Sequence, residues 1–215
     1  MDTYFPIWKK LTVSEQNALK KSAKKETIKK GTVLQAGQSS CYGLLLVTSG
    51  QLRAFTTNFE REITLFRLLP HDICLFSASC ILNSLQFDLL LEAVTDTEVI
   101  IIAPDVYKEL MDTSVTIANF TNEIMASRFS EVMWLFEQVM FHNLDKRLAA
   151  FLLEEQALSQ NDTLQITHEQ IANHLGSARE VVTRMLKHFQ KENLVTLSRG
   201  TVEISDTKKL TALAD

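Results

Sequence analysis

Cysteine is sparse in this chain. Cys41, Cys74 and Cys80 are the only three, too few and too widely spaced for a disulfide framework or a CxxC zinc pair. Reduced, half-buried thiols are therefore expected. Long apolar runs are also missing: the longest stretches are broken by Asp88, Glu92 or Asp96, short of the roughly 20 uncharged residues that a membrane helix needs. The opening residues, MDTYFPIWKK, have no cationic segment leading into an apolar one, so no signal peptide is read there and a cytoplasmic protein without a membrane partner is expected. Net positive charge is absent too. At −4 overall, the chain has no global attraction to polyanions, and any contact with nucleic acid must come from charge gathered locally.

What is present supports a sizeable core. Hydrophobic residues make up 46% of the 215 with a mean hydropathy of +0.01, and the length suggests two domains. Near the start, Thr12-Val-Ser-Glu15 has the form of a capping box opening a short helix. The basic run Lys20 to Lys30 that follows alternates with Ala, Ser and Thr and reads as a solvated face. Between Gly31 and Pro104, short apolar or alternating stretches (Thr32 to Leu34, Gly43 to Val47, Leu52 to Thr56, Glu62 to Phe66, Val99 to Ile102) are separated by turn signals such as Ala36-Gly37, Ser49-Gly50 and Leu69-Pro70. That texture predicts a small antiparallel barrel or sandwich.

Glycine then vanishes from Asp105 until Gly176, and residues 115–140 read as one long helix. Ile117, Phe120, Ile124, Val132, Leu135, Phe136 and Val139 recur by threes and fours around a polar gap at Ser127 and Arg128, with a second edge at Met125, Phe129, Met133 and Met140. So wide an apolar surface suits either a helix shared between its own domain and a partner, or the core helix of a monomer. The pattern stops near His142 and Asn143, where a hinge is expected.

The densest information lies in Thr167-His-Glu-Gln-Ile-Ala-Asn-His-Leu-Gly176 and the stretch after it. Ile171, Ala172 and Leu175 share one side of a short helix, and Gly176 suits the positive φ of a tight helix-to-helix turn. At about 100° per residue, Ala178, Val181, Val182, Met185, Leu186 and Phe189 fill one half of the next helix, 178–191. Arg179, Glu180, Thr183, Arg184, Lys187, His188, Gln190 and Lys191 fill the other. Between residues 178 and 200 five cations (Arg179, Arg184, Lys187, Lys191, Arg199) face two anions (Glu180, Glu192). An acidic protein has concentrated positive charge on one element.

Such a helix fits the major groove of duplex DNA, where arginine reads guanine and glutamate accepts from cytosine. Arg179, Glu180 and Arg184 sit near its start, where base contacts are made, while Lys187 and Lys191 lie where phosphates would be met. Ser177 to Glu180 also has the form of a capping box, a second role for Glu180. Leu194 to Ile204 alternates on either side of Ser198-Arg199-Gly200, a hairpin signal, and Thr163 to Ile166 is a candidate third strand. Helices with such a hairpin make a winged helix, with Arg199 at the tip of the wing near a phosphate.

TxEQIANHLGSAREVVTRMLKxFxKENLV followed by a hairpin resembles the DNA-binding end of the Crp/Fnr regulators over residues 142–206. Upstream, GxVLxxGQ, LLLVTSGQLR and LLPHDIC are similar to the family's cyclic-nucleotide-binding-like sensor domain. The resemblance implies an α+β protein: an N-terminal antiparallel β-barrel or jelly roll that senses an effector (1–114), a dimerisation helix (115–141) and a winged helix-turn-helix (142–215). It implies a dimeric, sequence-specific transcription regulator rather than an enzyme, with duplex DNA bearing a pseudo-palindromic operator, a second copy of the chain and RNA polymerase as partners. The DNA-binding residues would be Thr167, Ser177, Arg179, Glu180, Thr183, Arg184, Lys187, Lys191 and Arg199.

The sensor departs from the nucleotide-binding relatives. Where they carry a Gly-Glu pair and an Arg-Ser pair for the ribose and cyclic phosphate, this chain reads Cys74-Leu-Phe-Ser-Ala-Ser-Cys80 and then Gln86-Phe87-Asp88-Leu89, with no arginine between Arg67 and Arg128. A cyclic phosphate would meet Asp88 instead of a counter-charge, which argues against cyclic AMP. No cysteine precedes Cys41, which argues against the family's iron-sulfur cluster. Haem stays open through His71 and Cys74, although a turn histidine and a buried thiol are the plainer reading. Phe76, Phe87 and Phe129 are candidates for holding an apolar effector, and Cys74 with Cys80 for a redox switch. Two other readings are carried forward: a metal-dependent cupin-type enzyme, which the placement of only His71 within the barrel opposes, and an adaptor that binds protein through its winged helix.

Overall fold

The computed structural model describes residues 2–36, 41–57, 61–81, 89–141 and 143–214, the side chains of Ala36, Ser79, Cys80, Ile81 and Phe141 excepted. Its contacts divide the chain into two compact units, one made of Met1–Thr56 and Leu65–Val132, the other of Thr57–Thr64 and Met133–Asp215.

The first unit is built on two four-stranded antiparallel sheets. β1 (Lys24–Ile28), β3 (Leu44–Ser49), β6 (Ile73–Cys74) and β8 (Thr97–Ile102) pair in the order β1-β8-β3-β6, and β2 (Val33–Ala36), β4 (Leu52–Thr57), β5 (Glu62–Leu68) and β7 (Leu89–Ala93) in the order β2-β7-β4-β5. Among the described residues the two sheets remain separate, a jelly-roll sandwich rather than a closed barrel. Strand alternation decides what each strand covers. Leu45 and Val47 of β3 turn toward Leu52, Ala54, Phe66, Leu68, Leu89 and Leu91 to fill the space between the sheets. Leu44 and Leu46 turn the other way onto a helical layer holding Phe5, Trp8, Leu19, Tyr107, Ile117 and Phe120. A strand buried on both faces carries no polar alternation, and Leu44-Leu-Leu-Val47 has none.

The helical layer comprises α1 (Val13–Ser22), α2 (Pro104–Thr113) and the first turns of α3 (Val115–Phe141). The capping box expected at Thr12 and Glu15 opens α1. Tyr107 of α2 shares a 2.8 Å hydrogen bond with Thr121 Oγ1 of α3, which ties two helices through a buried hydroxyl. The basic run is a solvated face as expected, and much of it is a strand: Lys24–Ile28 form β1, paired with β8 from Lys24↔Ile101 to Ile28↔Thr97. Four of its five residues are exposed. It is an edge strand, where lysines protect against further pairing and leave no alternation to read.

Within the second unit, α4 (Leu144–Ser159), α5 (His168–Leu175), α6 (Arg179–Lys191) and α7 (Thr207–Ala214) surround a core that includes Leu148, Phe151, Leu152, Ile171, Val182, Leu186, Phe189 and Leu210. β10 (Val195–Ser198) and β11 (Thr201–Ile204) form the hairpin, joined by β9 (Thr163–Leu164) on the far side of β11. α7, which the sequence reading passed over, has Leu210 fully buried in this core.

The cysteines depart from the expectation of three reduced thiols. Cys41 is disulfide-bonded and Cys74 is a free, buried thiol; Cys80's side chain lies outside the described residues. Spacing along the chain does not register proximity that the fold creates.

Gly50 closes the β3–β4 turn at φ +82°, and a Cβ there would lie 2.5 Å from the Asp96 carbonyl oxygen and 2.7 Å from Thr97 Cα. Both neighbours are backbone and give little. Gly50→Ala is expected to destabilise the first unit by about 1–3 kcal/mol, seen as a lower urea midpoint by far-UV circular dichroism; an unchanged midpoint would mean that the turn relaxes freely.

Candidate nucleic-acid interface

Thr167 caps α5 with both halves of a capping box: its side chain accepts from Gln170 N–H, and Gln170 Oε1 accepts from Thr167 N–H at 2.9 Å. α5 ends at Gly176, φ +66°, in the left-handed conformation that glycine adopts most readily. Ser177 N–H donates to the Ala172 carbonyl at 3.0 Å, so Ser177 belongs to the closing turn of α5. The next helix therefore starts one residue later than the expected capping box requires. Ala178 is its N-cap, without a side-chain bond, and Glu180 sits at the second helical position rather than the third. That box does not form, and Glu180 is exposed.

α6 divides as its wheel predicts. Val182, Leu186 and Phe189 are buried, and Val181 and Met185 are partly so. Arg179, Glu180, Arg184, Lys187 and Lys191 are exposed. Arg179 and Arg184 thus project outward rather than into the core. Arg179 Nε lies 3.7 Å from Glu169 Oε2, with both side chains more than half exposed, a pairing worth little against solvent. The hairpin turns through Arg199-Gly200 between the paired residues Ser198 and Thr201, with Gly200 at φ +74°, and Arg199 at the tip is exposed.

His168, the first residue of α5, had no role in the sequence reading. Its Nδ1 lies 3.0 Å from the Thr183 hydroxyl of α6. Burial holds the imidazole below its ordinary pKa, and the positive charges of Arg179 and Lys187 press the same way. Its position directly after the N-cap of a helix crossed by the cationic one was the available signal.

The residues proposed for an effector are dispersed. Cys74 and Phe76 are buried between the sheets, where burial pushes the Cys74 thiol up, while Phe129 is 66% exposed on α3. Phe87 and Asp88 lie outside the described residues, as does the side chain of Cys80. The sequence reading passed over Arg128, the polar gap in α3. It is 9% exposed, bonded to both oxygens of Glu131 at 2.9 and 2.7 Å, and its guanidinium carbon lies 4.8 Å from the centre of the Phe66 ring.

Residues 146–213 match the Crp-like helix-turn-helix domain. The cyclic AMP receptor protein of Thermus thermophilus is 30% identical over 172 residues, covering 80% of this chain and 79% of that one. A solved transcriptional regulator of the Crp/Fnr family from Eubacterium rectale shares 51% identity at a TM-score of 0.95, with 99% of each chain covered. The chain belongs to the Crp/Fnr family. The fumarate and nitrate reduction regulatory protein of Yersinia pestis is a more distant relative, 26% identical over 89% of this chain and 78% of that one. This Crp/Fnr protein is accordingly a DNA-binding transcription regulator, of a family whose members act as dimers and are regulators rather than enzymes. No helix among the described residues is long and apolar enough to cross a membrane.

His168 yields a pH prediction. Because its folded-state pKa lies below the unfolded value, its contribution to stability is complete above about 6.5 and is lost as pH falls through the lowered folded value. A carbon-detected NMR titration of the free protein should place its midpoint below that of an exposed histidine, and His168→Gln should flatten the loss of stability over the same window. A midpoint at or above the exposed value would contradict the burial of the ring.

Proposed function

We propose that two copies of this chain bind a pseudo-palindromic operator, each inserting α6 into the major groove of one half-site, about one helical turn from the other. Arg179, Glu180 and Arg184 read base edges with Thr183 beside them; Lys187, Lys191 and Arg199 meet phosphates, and Thr167 and Ser177 approach the backbone at the start of α5 and in the turn before α6. The single observation that carries this reading is the exposure of every charged side chain on one side of α6 while Val182, Leu186 and Phe189 anchor the other. No side chain caps α6, and while Val181 N–H donates to the Ala178 carbonyl at 3.0 Å, the amides of Arg179 and Glu180 ahead of it face an acceptor at the helix start. An effector held by the first unit, of a kind unrelated to cyclic AMP, sets the fraction of DNA-competent dimer.

The dimer rests on a separate observation. Phe129, Met133, Phe136 and Met140 follow one another by fours and threes on α3 and are 66%, 40%, 51% and 58% exposed. That spacing is the seam of a two-stranded coiled coil, and so much apolar surface on one stripe calls for a partner. A second copy of the same helix supplies a matching stripe.

Fluorescence anisotropy with labelled operator DNA at several salt concentrations tests the DNA contacts. Arg184→Ala is expected to cost about 1–3 kcal/mol on the cognate site and to relax the preference at one base pair. Lys187→Ala should weaken all sequences alike and reduce the salt slope by about 1. If Arg184→Ala instead lowers affinity uniformly, Arg184 is a phosphate contact. Binding insensitive to salt would favour the protein-binding adaptor.

Phe136→Glu places a charge in the middle of the stripe. Sedimentation velocity should then show monomers at concentrations where the parent protein is a dimer; a variant that stays dimeric would move the interface off α3.

A further inference from the structure

The side of α3 turned away from the stripe has a different fate. At about 100° per residue, Trp134, Leu135 and Gln138 project opposite Phe129, Met133, Phe136 and Met140; Trp134 is 58% exposed, and the three line a cavity of about 370 Å³ within the second unit. Ala150 and Phe151 of α4 and Leu175 of α5 complete its apolar lining. Sites for small molecules fall in the range of about 300–1,000 Å³, mostly apolar with a few convergent polar groups.

Arg147 supplies the polar end. It lines the same cavity, as does the Glu154 carboxylate of α4, and its Nη2 donates to the Leu175 carbonyl at 2.5 Å. Among the described residues no carboxylate pairs with this guanidinium. Burial lowers its affinity for the proton, the signature of a cation partly stripped of water, and a stripped cation without a counter-ion gains most from an anion delivered to it. His174, tilted against Phe151 with ring centres 4.4 Å apart, adds a flat wall.

We infer that the cavity bounded by α3, α4 and α5 is a binding site for a small, flat apolar molecule with one anionic group, an aryl carboxylate or sulfonate. Its rings lie between Trp134, Leu135 and Phe151, and its anion is received by Arg147. This inference does not rest on the reading of α6 as a DNA reader, since it concerns other side chains and is tested without DNA. It also stands apart from the candidate effector residues Cys74 and Phe76, which lie on other elements.

The probe is 8-anilinonaphthalene-1-sulfonate, an aryl sulfonate, added to the full chain. Tryptophan occurs only at positions 8 and 134, so in a Trp8→Phe background, probe emission sensitised by excitation of tryptophan reports proximity to Trp134 alone. Saturable sensitised emission with one probe per chain is expected. Arg147→Met should weaken it at least tenfold, and Ala150→Phe, which fills the cavity, should abolish it. Lys208→Ala, an exposed position on α7 that does not line the cavity, should leave the affinity within about twofold. Each variant is checked for a cooperative thermal transition, and should Ala150→Phe fail to fold, Arg147→Met decides. Binding that survives Arg147→Met and Ala150→Phe, binding lost in Lys208→Ala, or no saturable binding at all would each overturn the site.

Discussion

Burial of Val182, Leu186 and Phe189 is the constraint on which the working surface depends. Each side chain contributes roughly 1.5–3 kcal/mol when taken fully out of water, and together they fix the rotation of α6 about its own axis. Lysine and arginine on the far side then have no choice of direction. An exposed ion pair such as Arg179 with Glu169 could not set that orientation, because its worth against solvent is at most about 1 kcal/mol. Packing aims the charges, and the charges contribute little to the packing. The same division of labour explains how an acidic protein carries a cationic face: the surplus on α6 is diluted over the whole chain and reappears only when the helix is folded.

The DNA-binding end was legible because its signals are local. Gly176 and the alternation around Arg199-Gly200 each act within a few residues, and each specifies one turn. The reading failed where two local signals competed. Ser177 suited the start of α6 and was also needed to close α5; the closing turn won, which moved the helix start to Ala178 and took Glu180 out of capping position. In the first unit the signals are long-range. β1 lacks alternation because it is an edge, and β7 takes its place between β2 and β4 through partners distant in the chain. The disulfide of Cys41 belongs to the same class of information, since the fold rather than the spacing of residues decides which thiols meet.

α3 shows how a break in a pattern can carry more than the pattern. A polar gap at Ser127 and Arg128 would ordinarily mark solvent, yet Arg128 is buried, held by both oxygens of Glu131 and set against the Phe66 ring. Asp72 Oδ1, 3.8 Å away, adds a second negative charge. Burying a guanidinium is costly and becomes tolerable only with such partners. The sequence held these residues in view without their relation, because Asp72 and Phe66 reach Arg128 through the fold and only Glu131 is a helical neighbour.

The gap also separates two regimes on one helix. Before it, Ile117 and Phe120 are buried in their own unit's core; after it, Phe129, Met133, Phe136 and Met140 are exposed. Periodicity alone could not distinguish a core helix from a shared one, since both need wide apolar surfaces. Exposure separates them, because the same spacing that is satisfied internally in the first turns is left unsatisfied in the last ones. A helix built this way serves as core at one end and leaves an exposed apolar stripe at the other. Arg128 stands where the change occurs, a charge that neither regime would select for packing alone.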